Sequence, residues 1–268
     1  MTIISDQEFG KFQRFIFDAA GITLSDAKKA LVSGRLAKRL QACQVGSYGE
    51  YFKLLMSGES PAELQMAVDL LTTNETYFFR EPKHFQFLKK RLTSGELRGP
   101  CRVWSAASSS GQEAYSIGML LEDCLPGQPW EVVGSDISTR VLQRAQTGQY
   151  PLERLDHFPP GYLQRFCLKG RGAQEGTLLV DRCVRSKVRF LQVNLNAPLP
   201  ASVGTFDVVF LRNVLIYFNV QTKRQVVTRI VQALRPGGWL LIGHSENLVD
   251  VNDDLQPIAP AIFRKPPQ

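Results

Sequence analysis

Apolar residues along the chain follow two rhythms, and the change between them falls near residue 100. Upstream, Phe9, Phe12, Phe15 and Ile16 recur at helical spacing, as do Leu31, Leu36 and Leu40. Such spacing gathers them on one stripe of an α-helix. Two further helices read from "GSYGEYFKLL" and "SPAELQMAVDLL", the second with Ser60 as cap and Pro61 at the first helical position. No alternating Val/Ile-rich strand precedes residue 100, so residues 1–72 are expected to form a small helical bundle, followed by a linker and lid at 73–90. Downstream, apolar runs expected as strands (101–106, 131–135, 188–193, 205–211, 238–243) alternate with helical ones (112–124, 138–146, 221–235). That alternation specifies an α/β domain, here residues 91–268, with a mostly parallel sheet covered on both faces. Residues 148–187, with glycines at 161, 170, 172 and 176, break the rhythm and read as a small inserted antiparallel β-subdomain. The tail "FRKPPQ" is expected to fray.

Composition narrows the setting. The chain is 44% hydrophobic and 21% charged, which is ordinary for a globular protein. No apolar run approaches the roughly 18 residues of a membrane span, so no membrane insertion is expected. The start "MTIISDQEFGKFQRF" lacks the apolar segment of a signal peptide, and the reading is cytoplasmic. Five cysteines without close pairing suggest free thiols. The three histidines are scattered, with no Cys-x-x-Cys or His-x-x-x-His spacing, and no metal site is expected.

A net charge of +7 changes the picture only through its placement. Five basic and no acidic residues lie between Ala27 and Gly49, and ten basic against four acidic between Arg140 and Arg189. Two separate patches read as two docking sites rather than a nucleic-acid track. On a helix, Lys28, Arg35 and Arg39 project within about 40° of one another. The stripe suits an acidic partner helix, or is a solvated face of the bundle.

The chemistry is concentrated at the ends of the expected strands. "AASSSG", after the first strand, is a small-residue loop with one glycine. It fails the glycine-rich dinucleotide fingerprint and has no lysine for a phosphate, so it is either a tight packing turn or the wall of a site for a phosphate-free ligand. Glu113 lies in the first turn of the next helix, where a carboxylate also simply favours the helix N-terminus. Asp136 ends the second strand, placed either to accept both hydroxyls of a ribose or to open the following helix. "FDVVFLRNVLIYFN" is a buried strand ending in Arg212-Asn213, with Tyr217 beyond; these point into a ligand crevice, or Arg212 pairs a carboxylate and Tyr217 packs. "LRPGGWLLIGHSEN" ends a helix and turns into a buried strand.

Taken in order, the small-residue loop, the acidic strand end, the polar strand end and L-R-P-G-G-x-L resemble S-adenosylmethionine-dependent methyltransferases. That cofactor has a ribose and an amino acid end but no phosphate. "LTTNETYFFREPKHF", "VWSAASSSGQEAYS", "LRNVLIYFN", "GHSEN" and, in the helical half, "GITLSDAKKALVSGRLAKRL" resemble the bacterial chemotaxis receptor glutamate O-methyltransferase family across nearly the whole chain. The resemblance implies an N-terminal helical domain and a Rossmann-like methyltransferase domain with an inserted β-subdomain. It implies transfer of methyl groups from S-adenosylmethionine to glutamate side chains of methyl-accepting chemoreceptor cytoplasmic helices, leaving S-adenosylhomocysteine.

By the same resemblance, Asn74, Thr76, Arg80, Glu113, Asp136, Asn194, Leu195, Arg212 and Asn213 contact the cofactor. Asp136 holds the ribose, Glu113 and Arg80 the charged amino acid end, and Asn194 and Leu195 border the adenine. Arg80 and Tyr217 orient the acceptor. The family's loop has Cys, Thr, Glu and Pro where Ser108, Ser110, Gln112 and Ala114 stand, so Gln112 removes a charge near the cofactor. Gly170, Arg171 and Gly172 in the insert resemble members that bind a receptor's C-terminal peptide, although the segment also reads as a solvent loop covering the cofactor. A methyltransferase for RNA or a small molecule, and a non-catalytic cofactor-sensing adaptor, are the rival readings.

Overall fold

Ser5 and Glu8 close the first helix reciprocally: the Ser5 hydroxyl accepts the Glu8 N–H, and the Glu8 carboxylate accepts the Ser5 N–H at 2.8 Å. The computed structural model, which describes residues 3–267, begins with this helix, α1 (Asp6–Ala20). Gly21, at φ 73°, ends it in the left-handed region. α2 (Lys29–Ala42), α3 (Tyr48–Met56) and α4 (Pro61–Leu71) complete the bundle around Phe12, Ile16, Leu36 and Tyr51. On α2 the buried stripe is Val32, Leu36 and Leu40, and Leu31 is only half-buried. Pro61 opens α4 as expected, but the Ser60 side chain makes no capping bond. The expected linker is partly helical: α5 (Pro82–Thr93) buries Phe85, Leu88 and Leu92 in the core of the α/β half.

Seven strands form the main sheet: β1 (Cys101–Ser105), β2 (Trp130–Asp136), β6 (Val188–Gln192), β7 (Phe206–Leu211), β8 (Leu234–Ile242), β9 (Gln256–Ala259) and β10 (Ile262–Arg264). Their order is β6-β2-β1-β7-β8-β10-β9. The first five are parallel, with Val103 of β1 facing Val132 and Val208 on its two sides. α6 (Gln112–Cys124) covers one face, and α10 (Val220–Ala233) the other. α7 (Thr139–Thr147) connects β2 to the insert. The chain reverses direction across the sheet at β1 and β7, and the crevice beyond such a switch point is where ligands bind.

Two segments depart from the sequence reading. Arg235-Pro236-Gly237-Gly238 does not end a helix; α10 stops at Ala233, and the four residues form an irregularity inside β8, where Phe206 pairs with Leu234 and Val208 with Trp239. The tail is not frayed over its described length. Phe263 and Arg264 belong to β10, and the Lys265 ammonium donates to the Val231 and Leu234 carbonyls at 2.7 Å each. The insert is a three-stranded antiparallel sheet, β3 (Gln149–Pro151), β5 (Thr177–Val180) and β4 (Cys167–Lys169), in that order, with short helices α8 (Tyr162–Phe166) and α9 (Arg182–Arg185).

Candidate active site

Four parallel strands deliver their carboxyl ends to one cleft of about 820 Å³ including its open mouth. β1 contributes Ala106, Ala107 and Ser109; β2 contributes Asp136; β6 leads to Asn194 and Leu195, and β7 to Arg212 and Asn213. Asn74, Thr76, Arg80 and Tyr217 also line it. The fold thus brings every expected cofactor and acceptor residue, Glu113 included, to a single cavity.

The small-residue loop serves packing and site together. Gly111 has φ 95°, and a Cβ there would meet Ala145 Cβ at 2.8 Å and Tyr150 Oη at 2.9 Å. The glycine therefore faces the protein, while Ala106, Ala107 and Ser109 face the cleft. The Ser108 N–H donates to the Ser135 carbonyl at 2.8 Å, and the Tyr150 hydroxyl to the Ser110 carbonyl at 2.7 Å, so the loop is held from both sides.

Asp136 is buried, 8% exposed, and each of its oxygens is anchored: one accepts the Ser109 N–H at 2.9 Å, the other the Ser138 N–H at 3.0 Å. Burial pushes its carboxyl up to about 6, against the pull of those backbone donors. A carboxylate oxygen has a second lone pair, so the group can still accept from two hydroxyls.

Arg212 turns out to pair carboxylates, one of the two readings open in the sequence. Its guanidinium lies 2.9 Å from Glu113 and 3.0 Å from Glu81, and donates to the Arg80 carbonyl at 2.6 Å. Glu113 also accepts from the Ser105 hydroxyl at 2.7 Å. Burial raises the Glu113 carboxyl, and Arg212 opposes that rise. Arg212 thus fixes both Glu113 and the Arg80 backbone at the cleft wall. Asn213, at φ 57°, donates its side-chain amide to Glu81 at 3.2 Å. The Asn194 amide is engaged as well, donating to the Ala19 carbonyl at 2.7 Å and accepting the Asn196 N–H at 2.9 Å, so it ties the end of α1 to the cleft. Arg80 donates one N–H to the Glu75 carbonyl at 2.9 Å.

Residues 74–262 match the family described as CheR methyltransferase, SAM binding domain, and residues 7–72 match CheR methyltransferase, all-alpha domain. The chain belongs to the CheR methyltransferase family. It is 42% identical over 248 residues to the chemotaxis protein methyltransferase of Escherichia coli (strain K12), spanning 91% of this chain and 85% of that one. It is 41% identical over 247 residues to the Salmonella typhimurium protein of the same name, with the same coverage. Chemotaxis protein methyltransferase 2 of Pseudomonas aeruginosa is 39% identical over 261 residues, 96% of this chain and 92% of that one. This CheR-family chain is an S-adenosylmethionine-dependent methyltransferase. The cleft fits that cofactor: its loop wall is alanine and serine, with no lysine among its lining residues, and the anchored Asp136 carboxylate is a ready acceptor for ribose hydroxyls.

The basic stripe of this CheR-family chain is largely spent inside the protein. Arg35 is half-buried and donates to the Leu71 and Thr72 carbonyls at 3.0 Å each and to the Thr73 hydroxyl at 3.2 Å, bracing the segment that enters the cleft. Arg39 binds both oxygens of Glu63, at 2.9 and 2.6 Å, and Glu63 also accepts from the Tyr51 hydroxyl at 2.6 Å. Only Lys28 of the three is exposed, and it sits in the tight turn Asp26–Lys28 ahead of α2. The helix turns much of this side toward α4, whose Glu63 supplies the counter-charge to Arg39. Gly170, Arg171 and Gly172 form the connection between β4 and β5. Arg171 is exposed, and a Cβ at Gly170 would fall 1.9 Å from the Gln174 carbonyl oxygen.

Sequence reasoning missed Glu81. It stands at φ 58° and receives Arg212, Asn213 and the His244 N–H. The only sequence signal was its place in the "REP" of the quoted motif. Histidines that look scattered along the chain also meet here: His84 and His244 stack edge to face at 4.7 Å beside Glu81. Burial pushes the His84 imidazole down to about 3, so it is neutral.

Proposed function

We propose that this CheR-family methyltransferase esterifies glutamate side chains on the cytoplasmic helices of chemoreceptors. One observation carries the reading: among the described residues lining the cleft there is no histidine, lysine or cysteine, its inner carboxylates Glu113 and Asp136 are both hydrogen-bonded, and its third, the exposed Glu75, is paired with Arg154 at 3.2 Å. A site without a free general base suits an acceptor that arrives already ionised. A glutamate carboxylate, with an unperturbed pKa near 4.3, is such an acceptor, whereas an amine or hydroxyl must lose a proton. The relatives are named as chemotaxis methyltransferases, which agrees.

S-adenosylmethionine, when bound, supplies a methyl group already activated on a sulfonium sulfur. Asp136 accepts the ribose hydroxyls, Asn194 and Leu195 border the adenine, and Glu113, held by Arg212, faces the amino acid end with Arg80. Asn74, Thr76 and Asn213 complete the wall. Arg80 keeps N–H groups beyond its one bond to Glu75 and steers the incoming carboxylate from the mouth without neutralising it. Tyr217, which also lines the cleft, supports the acceptor. Alignment and partial exclusion of water supply the remainder. The neutral ester removes like-charge repulsion between receptor helices, which biases their signalling state.

The insert supports a second contact. β4 is an edge strand, its Leu168 is 54% exposed, and Arg171 lies beside it. A receptor's C-terminal aromatic-acidic peptide can add to that edge as an extra strand. Calorimetry with such a peptide is expected to give heat with the parent protein and much less with Arg171→Ala; no heat from any receptor tail refutes this contact. A cytoplasmic location follows from the receptor surface addressed, and no helix among the described residues is long and apolar enough to cross a membrane.

The main test is transfer of labelled methyl from S-adenosylmethionine to receptor-enriched membranes. Label in the receptor that alkali releases supports the proposal. Alkali-stable label, or label only in RNA or small molecules, contradicts it, and cofactor binding without transfer favours an adaptor.

A further inference from the structure

Three side chains from distant parts of the chain converge beside the cofactor cleft, outside its lining. Glu81 precedes α5, His84 lies in its first turn, and His244 follows β8. One ligand atom from each lies within 4.8 Å of the other two. His84 Nδ1 is 3.5 Å from Glu81 Oε2, and His244 Nε2 is 3.9 Å from the same oxygen. An ion with bonds of about 2.0–2.1 Å in tetrahedral geometry holds its ligand atoms roughly 3.3–3.5 Å apart. The first separation already matches, and a small rotation of the partly exposed His244 closes the second.

The second observation is His84 itself. It is 0% exposed, and neither ring nitrogen has a hydrogen-bond partner. A buried polar ring with both nitrogens unpaired is unfavourable. Packing alone would be met by an apolar residue, whereas a ligand at Nδ1 gives one nitrogen its partner. A surface cleft bounded by Phe87, Lys90, Pro260 and Ile262 opens onto both histidines and offers a way in.

We propose that Glu81, His84 and His244 form a binding site for a divalent transition-metal ion of the Zn²⁺ class. Two neutral imidazoles and one carboxylate leave a fourth position for water and suit Zn²⁺ rather than Mg²⁺, which prefers an all-oxygen shell. Arg212 lies 3.0 Å from the same Glu81 oxygen, and its charge opposes the ion, so the site is reversible rather than permanently filled. Occupied, it pins the start of α5 to the exit of β8, the two segments that frame Arg212.

The test is titration of zinc chloride into the full chain carrying Cys183→Ser, which removes the exposed thiol as a competing ligand. One ion per chain is expected, with magnesium giving no binding. His244→Gln, at a partly exposed side chain where folding is not at stake, is expected to weaken zinc binding by about tenfold or more, while His157→Gln leaves it unchanged. In parallel, zinc raises the melting temperature of the Cys183→Ser protein and fails to do so with His244→Gln added. Absence of zinc binding, or binding and stabilisation unaltered by His244→Gln, overturns the proposal.

Discussion

Asp136→Asn, read across pH, interrogates the part of the cleft proposed to hold the ribose. Burial raises the carboxyl to about 6 from an ordinary value of 3.8. A raised acid contributes its stability below the unfolded value and loses it as pH climbs through about 6; burying this charge at neutral pH costs on the order of 3 kcal/mol. Ligand hydroxyls reverse the preference, because they donate to the ionised form. Cofactor affinity should therefore be level above roughly pH 7 and fall as pH drops through 6. At pH 5 about one protein in ten is ionised there, a loss of about tenfold, or 1.4 kcal/mol. The amide that Asp136→Asn introduces cannot titrate, and its nitrogen faces one of the two backbone N–H donors. Binding in that variant should weaken by roughly 1.5–3 kcal/mol and lose its dependence between pH 5 and 7. Isothermal titration with S-adenosylhomocysteine across this range reads both effects. A flat profile in the parent protein, or the same slope retained in Asp136→Asn, would refute the reasoning.

Other outcomes are equally specific. Arg80→Ala is expected to cut methyl transfer strongly, and normal turnover in a labelling assay would remove its acceptor role. Tyr217→Phe should leave S-adenosylhomocysteine affinity within about twofold and lower turnover by about tenfold or more; unchanged turnover counts against an acceptor contact. Arg39→Ala strands Glu63 and its Tyr51 partner and should cost about 2 kcal/mol in urea unfolding, with a near-zero cost showing that the pair is solvent-screened after all. Gly111→Ala must accommodate both a left-handed backbone and contacts under 3 Å with Ala145 and Tyr150, so thermal unfolding should report a loss of about 2 kcal/mol or more.

Much of this was legible in the residue pattern because the site hangs on regular elements. The apolar periodicity of Gln112–Cys124 gives α6 to the residue, and the strands ending at Ser105, Asp136 and Leu211 fall within a residue or two of expectation. Once those carboxyl ends align, Glu113, Asp136 and Arg212 must share a cleft. What escaped is whatever depends on partners far away in sequence. A helical wheel shows that Arg35 and Arg39 share a face but not that Glu63 and the end of α4 lie opposite. Short β9 and β10, with prolines at 257 and 260, carry too few alternating residues to register as strands. His84 and His244 meet only because α5 packs beside the exit of β8. Arg235–Gly238 reads as a helix stop because proline and glycine mark the end of a helix and a bulge within a strand alike.

The central claim is that the cleft presents its methyl donor to a carboxylate. Mass-spectrometric mapping of chemoreceptor incubated with this protein and S-adenosylmethionine tests it most directly. Methyl groups confined to glutamate side chains of the cytoplasmic helices, and absent with Arg80→Ala, are the expected result. Methylation on nitrogen or hydroxyl positions instead, or none on a receptor whose glutamates are available, would contradict the account.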